Sequence, residues 1–150
     1  MERIKCSKNP SLLFVDNNVL DKNLIKQLNS LNFSENGTRR LCFHASNESP
    51  LHAMAVQTPA GEVFSRHAHL DSDELIVIIK GELRVRIWLY EDDEEPAVYF
   101  LGNDLSRCDC AAIFIPRETF HDTMAVHKDT GYVESKLGPF NAESTVHKLV

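Results

Sequence analysis

Gly61, His67, His69, Glu74 and Gly81 stand in the spacing G-x5-H-x-H-x4-E-x6-G. Side chains alternate faces along an extended strand, so His67 and His69 project to the same side, and a turn through residues 70–73 returns Glu74 beside them. The spacing reads as a metal-binding strand hairpin in which two imidazoles and a carboxylate converge. A carboxylate turned inward among apolar strand residues is strongly disfavoured without a partner, and a cation is the partner that offsets it. The segment Pro116-Arg117-Glu118-Thr119-Phe120-His121 supplies His121, from a distant strand, as the candidate fourth ligand.

Three neutral imidazoles and one carboxylate suit one borderline divalent ion, Fe, Zn, Mn, Ni or Co, and lack the thiolates of a closed structural zinc site. An octahedral ion held by these side chains keeps two open positions, enough for a bidentate substrate or for dioxygen with a monodentate one; a tetrahedral ion is nearly saturated. Arg40 and His44 are candidate substrate-binding residues, because alternation puts them on one face of their strand. The guanidinium fork suits a carboxylate or phosphate, and surface ion pairing is the competing reading of Arg40. His52, His127 and His147 are read as surface or hydrogen-bonded histidines. Tyr132 and Glu134 lie on the last strand within reach of the cavity, with no role assigned.

The elements that must position these groups are mostly strands. Leu24, Ile25, Leu28 and Leu31 recur at helical spacing and Asp21 can cap the start, so residues 21–31 form a short helix packed outside the strands. Asn36-Gly37 marks a turn. Strands follow at residues 40–45, 53–57, 75–80, 82–89, 98–101, 111–116, 122–125 and 132–136. Arg84 and Arg86 alternate with the apolar Leu83, Val85 and Ile87 and are expected to face solvent. The acidic block Glu91-Asp92-Asp93-Glu94-Glu95 falls between two strand patterns, as a solvated hairpin tip does.

The His-x-His segment resembles the first motif of the cupin superfamily, and Gly102, Pro116 and His121 resemble the second, G-x-P-x-G-x-x-H-x-x-x-N in outline. Glu118 and Ala125 replace its glycine and asparagine, and the stretch from Gly102 to Pro116 is long. A finer resemblance runs through Arg39-Arg40-Leu41-Cys42-Phe43-His44, Gly81-Glu82-Leu83, Pro116 to His121, and Glu134-Ser135-Lys136-Leu137-Gly138-Pro139-Phe140. Together these are similar to the WbuC-type cupin-fold metalloproteins. The resemblance implies a cupin-type double-stranded β-helix, or jelly-roll barrel, and an association with bacterial surface-polysaccharide genes, without a defined activity. Gly138-Pro139-Phe140 is expected to be structural, its phenylalanine anchoring the tail.

At 150 residues and 43% hydrophobic content the chain reads as a single domain over residues 1–150. Residues 1–38 are a helical extension, about 39–140 the barrel, and 141–150 a tail. Cys6, Cys42, Cys108 and Cys110 lack the paired C-x2-C spacing of a zinc site and read as reduced thiols. The run Leu12-Leu13-Phe14-Val15, followed by Asp16-Asn17-Asn18, is too short for a leader or a membrane span, which points to a cytoplasmic protein with no membrane partner. A formal charge of −6 argues against nucleic acid. Open sheet edges in this class suggest a homodimer. Three functions fit: a metal-dependent enzyme acting on a small polar substrate such as a sugar, sugar acid or nucleotide sugar, isomerase- or epimerase-like; a mononuclear non-haem iron dioxygenase; and a non-catalytic metal- or sugar-binding module.

Overall fold

The inward faces of the strands carry alternate apolar residues, and these decide how the chain folds. In β5 (Glu74–Lys80) Ile76 and Ile78 are buried while Leu75 and Val77 are exposed; in β6 (Glu82–Trp88) Leu83, Val85 and Ile87 are buried. The two sets pack against each other from opposite sheets, with Met54, Val56, Leu101, Ile115 and Tyr132, in one core. The structure is a computed structural model that describes residues 9–15, 19–35, 37–90, 92–127 and 129–148. Cys6, Asp16, Asn17, Asn18, Asn36 and Glu91, which enter the sequence reading, lie outside them.

The remaining elements are β1 (Leu12–Phe14), α1 (Lys22–Ser30), β2 (Arg39–Cys42), β3 (Leu51–Thr58), β4 (Val63–His69), β7 (Ala97–Gly102), β8 (Ala112–Ile115), β9 (Phe120–Ala125), β10 (Thr130–Leu137) and β11 (Thr145–His147). One sheet has the order β1-β2-β3-β10-β5-β8 and the other β11-β4-β9-β6-β7. From β3 onward every connection except β6 to β7 crosses between the sheets. The expected hairpin is corrected here: β4 pairs with β9 and β11, whereas β5 pairs with β10 and β8, so the histidines and Glu74 face each other from opposite sheets. The mostly β class with a short helix is as expected.

Asp21 caps α1, its carboxylate accepting from the Asn23 and Leu24 N–H groups at 2.9 Å. Leu24 and Leu28 bury against Val15, Leu41 and Ala55 on the outer face of the six-stranded sheet. Two strands lie where the sequence suggested none. The run at residues 12–15 supplies β1, parallel to β2, and the tail supplies β11, paired with β4.

Arg84 and Arg86 occupy the outer face, but they are not simply solvated. Arg86 Nε is 3.0 Å from both oxygens of Asp122, Arg86 Nη2 also closes on this carboxylate, and Asp122 is only 1% exposed. Nearby, the Arg66 guanidinium stacks 4.2 Å from the Trp88 ring centre, which keeps that outward tryptophan buried. Gly138 donates to Pro50 O at 2.9 Å and Phe140 N–H to Asn47 O at 2.7 Å, tying the Gly-Pro-Phe segment to the preceding loop.

Candidate metal centre

A bulge aims the first ligand. Register between β4 and β9 shifts between Phe64 and His67, so that Phe64 faces Thr123 and His67 faces His121, a step of three residues on β4 against two on β9. His69, two residues on, shares the inward face of His67. Glu74 opens β5 on the opposing sheet. The ligand atoms of His67, His69, Glu74 and His121 all lie within 4.8 Å of one another, and the four residues are 4%, 7%, 3% and 1% exposed.

Hydrogen bonds behind the rings set their tautomers. A carbonyl only accepts, so His67 Nδ1 donates to Ser65 O at 2.8 Å and His121 Nδ1 to Thr119 O at 2.9 Å, which leaves each Nε2 free as a lone pair. His69 Nδ1 is held by the Thr145 hydroxyl at 3.1 Å. His121 Nε2 then lies 2.9 Å from Glu74 Oε2, yet that oxygen is buried and accepts no hydrogen bond. His69 Nε2 is 3.8 Å from Glu74 Oε1. Acceptors facing one another at these distances fit a shared cation. The donor set, three nitrogens and a carboxylate oxygen with their outer atoms already tied, can hold a divalent transition metal.

Without a metal, protons take up the strain. Burial, reinforced by repulsion from Glu134, pushes the Glu74 carboxyl up. Burial alone would lower His121, but the adjoining Glu74 outweighs it and raises the ring. Burial pushes His67 down to about 2, helped by charge on His121, and His69 down to about 4, helped by Lys136. Burial would raise Glu134 too, but Lys136 and Arg40 outweigh it and hold that carboxyl below the ordinary range.

The cluster opens into a cavity of about 540 Å³ between the sheets. Both candidate substrate-binding residues line it: Arg40, its guanidinium 6.0 Å from the Phe64 ring centre, and His44. Tyr132 and Glu134 line it as well. Sequence reasoning missed three further groups. His52, read as a surface or hydrogen-bonded residue, is buried, its Nε2 3.1 Å from Asn47 O and its ring stacked 4.0 Å from His44. His147 is exposed and 3.4 Å from Ser65 Oγ, as a surface or hydrogen-bonded histidine is, yet it lies opposite His67 on β11 at the cavity edge, and Lys136 lies directly opposite Glu74 on β10. The available signal for Lys136 was alternation, since Tyr132, Glu134 and Lys136 are spaced two apart. His127 is exposed, as expected, 3.6 Å from Glu82. Cys42, Cys108 and Cys110 are free thiols.

No family model matches the chain, and a search of curated proteins finds no match. Solved structures do match. The capsular polysaccharide assembling protein CapF from Staphylococcus aureus aligns over 79% of this chain and 31% of its own, at 15% identity and a TM-score of 0.62. KdgF from Halomonas sp. aligns over 75% of this chain and 87% of its own, at 20% identity and a TM-score of 0.54. An oxalate oxidase in complex with the substrate analogue glycolate aligns over 76% and 56%, at 19% identity and a TM-score of 0.59. The chain spans about a third of the length of the CapF structures it matches. At these identities the likeness establishes the fold, and the fold is that of the cupins, here carrying a buried group that can hold a metal ion. Among the described residues no helix is long and apolar enough to cross a membrane.

Proposed function

We propose that this chain is a metal-dependent enzyme, similar to the WbuC-type cupins, that acts on a small oxygen-rich sugar in bacterial surface-polysaccharide metabolism by an isomerase- or epimerase-like reaction. The observation that carries this reading is the group of His67, His69, His121 and Glu74, whose free nitrogens and carboxylate converge at the wall of a substrate-sized cavity. The likeness to a capsular polysaccharide assembling protein supports the metabolic setting.

The four side chains would hold the ion, and the contacts of Ser65, Thr119 and Thr145 would orient the three rings toward it. A divalent ion bound there supplies Lewis acidity to a carbonyl or to neighbouring substrate oxygens. Glu134, the carboxylate of the cavity outside the ligand set, can accept a hydrogen bond from a substrate hydroxyl. Met54, Ile76, Phe64 and Tyr132 give the apolar walls on which a sugar ring packs.

Metal-loaded protein incubated with sugars and nucleotide sugars in deuterated water tests the reading. Solvent deuterium entering a substrate carbon, lost in His67→Ala, is the expected result. Substrate-dependent oxygen uptake without deuterium exchange would favour the dioxygenase instead, and neither signal with any sugar would favour a binding module.

A further inference from the structure

Arg39 and Arg40 are adjacent, and their surroundings are opposite in character. Arg39 is saturated: its Nε donates to Gln57 at 2.8 Å, and its Nη1 to the carbonyls of Asn29 and Leu31 at 2.6 and 3.0 Å. Arg40 faces the cavity, and among the described residues it has neither a side-chain hydrogen bond nor a carboxylate within 4.0 Å; the Phe64 ring lies beside it, and its charge acts on Glu134 from farther off. Lys136 shares the cavity, opposite Glu74 on one side and His52 on the other, and its carboxylate partner, Glu134, stands 4.0 Å away, at the limit of an ion pair. Two cationic side chains thus share a partly desolvated chamber with Glu134, neither in hydrogen-bond contact with it.

The charges decide what they await. Arg40 and Lys136 balance Glu74 and Glu134 in number, so a divalent ion gives the chamber a surplus of positive charge. The Arg40 row lies two inward positions along β10 from the Glu74 row, from Lys136 to Tyr132, roughly 13 Å at ~3.3 Å per residue. The arginine side chain covers part of that span. A ligand touching both ends is therefore longer than a bare carboxylate.

We propose that Arg40 forms an anion subsite that takes the carboxylate of an acidic sugar whose other oxygens face Lys136 and the His-His-Glu-His group. The proposal rests on the reading of the same cavity as a metal-dependent site. Arg40 supplies the planar two-donor fork that matches a carboxylate, and Lys136, in the Glu74 row, a point charge for the oxygens at the other end. Leu12, Phe14, Cys42 and Met54 give the intervening wall an apolar surface for the ring.

Calorimetric titration of the metal-loaded protein with D-glucuronate, D-glucose and glucose 6-phosphate tests this, with metal content measured on the same samples. Glucuronate is expected to bind at least ten-fold more tightly than glucose. Arg40→Gln should remove that preference while leaving the metal content unchanged, Arg40→Lys should restore part of it, and Lys136→Met should weaken binding of both sugars while keeping the preference. Equal or undetectable binding of glucuronate and glucose, a glucuronate preference kept in Arg40→Gln, or tighter binding of the phosphate would each overturn the proposal. If wild-type protein takes up no metal yet shows an Arg40-dependent glucuronate preference, the metal reading fails and the anion subsite stands.

Discussion

Replacing Glu74 by Gln should cut metal affinity while leaving metal-free stability nearly unchanged. In the metal-free protein Glu74 is a buried carboxyl 2.9 Å from His121 Nε2, and both groups are raised, so a proton lies between them. A glutamine of the same shape places an N–H donor at that position, so one hydrogen bond of about 1 kcal/mol replaces another. A change of about 1 kcal/mol moves the melting temperature of a chain this size by roughly 2–4 °C, and the metal-free variant should stay within that range of wild type. With metal bound, the same change deletes the one anion among the four ligands. Breaking a buried charge pair costs about 3–5 kcal/mol, or roughly two to four orders of magnitude in affinity. Circular dichroism melts with and without chelator, together with competition against a chelating dye, measure both quantities. A variant that unfolds without metal, or that binds metal within three-fold of wild type, would refute the reasoning.

Thr145→Val removes the hydroxyl that holds His69 Nδ1 and should cost about 10–100-fold in metal affinity in the dye assay, with little change in secondary structure. The pH dependence of affinity should be shallow. His67 and His69, lowered to about 2 and about 4, stay neutral at pH 5, so proton competition comes from the raised His121 and Glu74. Affinity should therefore fall as pH drops from 7 to 5, but by less than about 10⁴-fold, the fall that three imidazoles of ordinary pKa would give; a slope of two or more decades per unit contradicts this. Gly81→Ala should destabilise by about 1–3 kcal/mol, because φ is +77° and the new Cβ falls 2.7 Å from Thr130 Oγ1. Gly61→Ala, at φ +82° but with nothing within 4 Å, should cost only about 1 kcal/mol, and thermal unfolding of the two variants compares them.

The strand class and the convergence of His67, His69, Glu74 and His121 were readable because both rest on alternation, a local property. Pairing is not local. Nothing in the residues between His69 and Glu74 says that the chain leaves one sheet for the other, so the sequence suggested a hairpin where the structure has a crossover. The bulge between Phe64 and His67 is equally silent in the residue types, although it directs His67 inward. His52, Lys136, Thr145 and His147 belong to strands far from the motif in sequence, and only the register of β3, β10 and β11 brings them to the cavity. Strands β1 and β11 are three residues each, too short for any periodicity to appear.

Metal analysis of protein purified without chelator or affinity tag, followed by titration with Mn, Fe, Co, Ni and Zn under reducing conditions, tests the central claim most directly. One transition-metal ion per chain, reduced below a tenth of an equivalent in the His67→Ala/His69→Ala double variant, is the predicted result. Folded wild-type protein that takes up none of these ions, or a double variant that keeps a full equivalent, would contradict it.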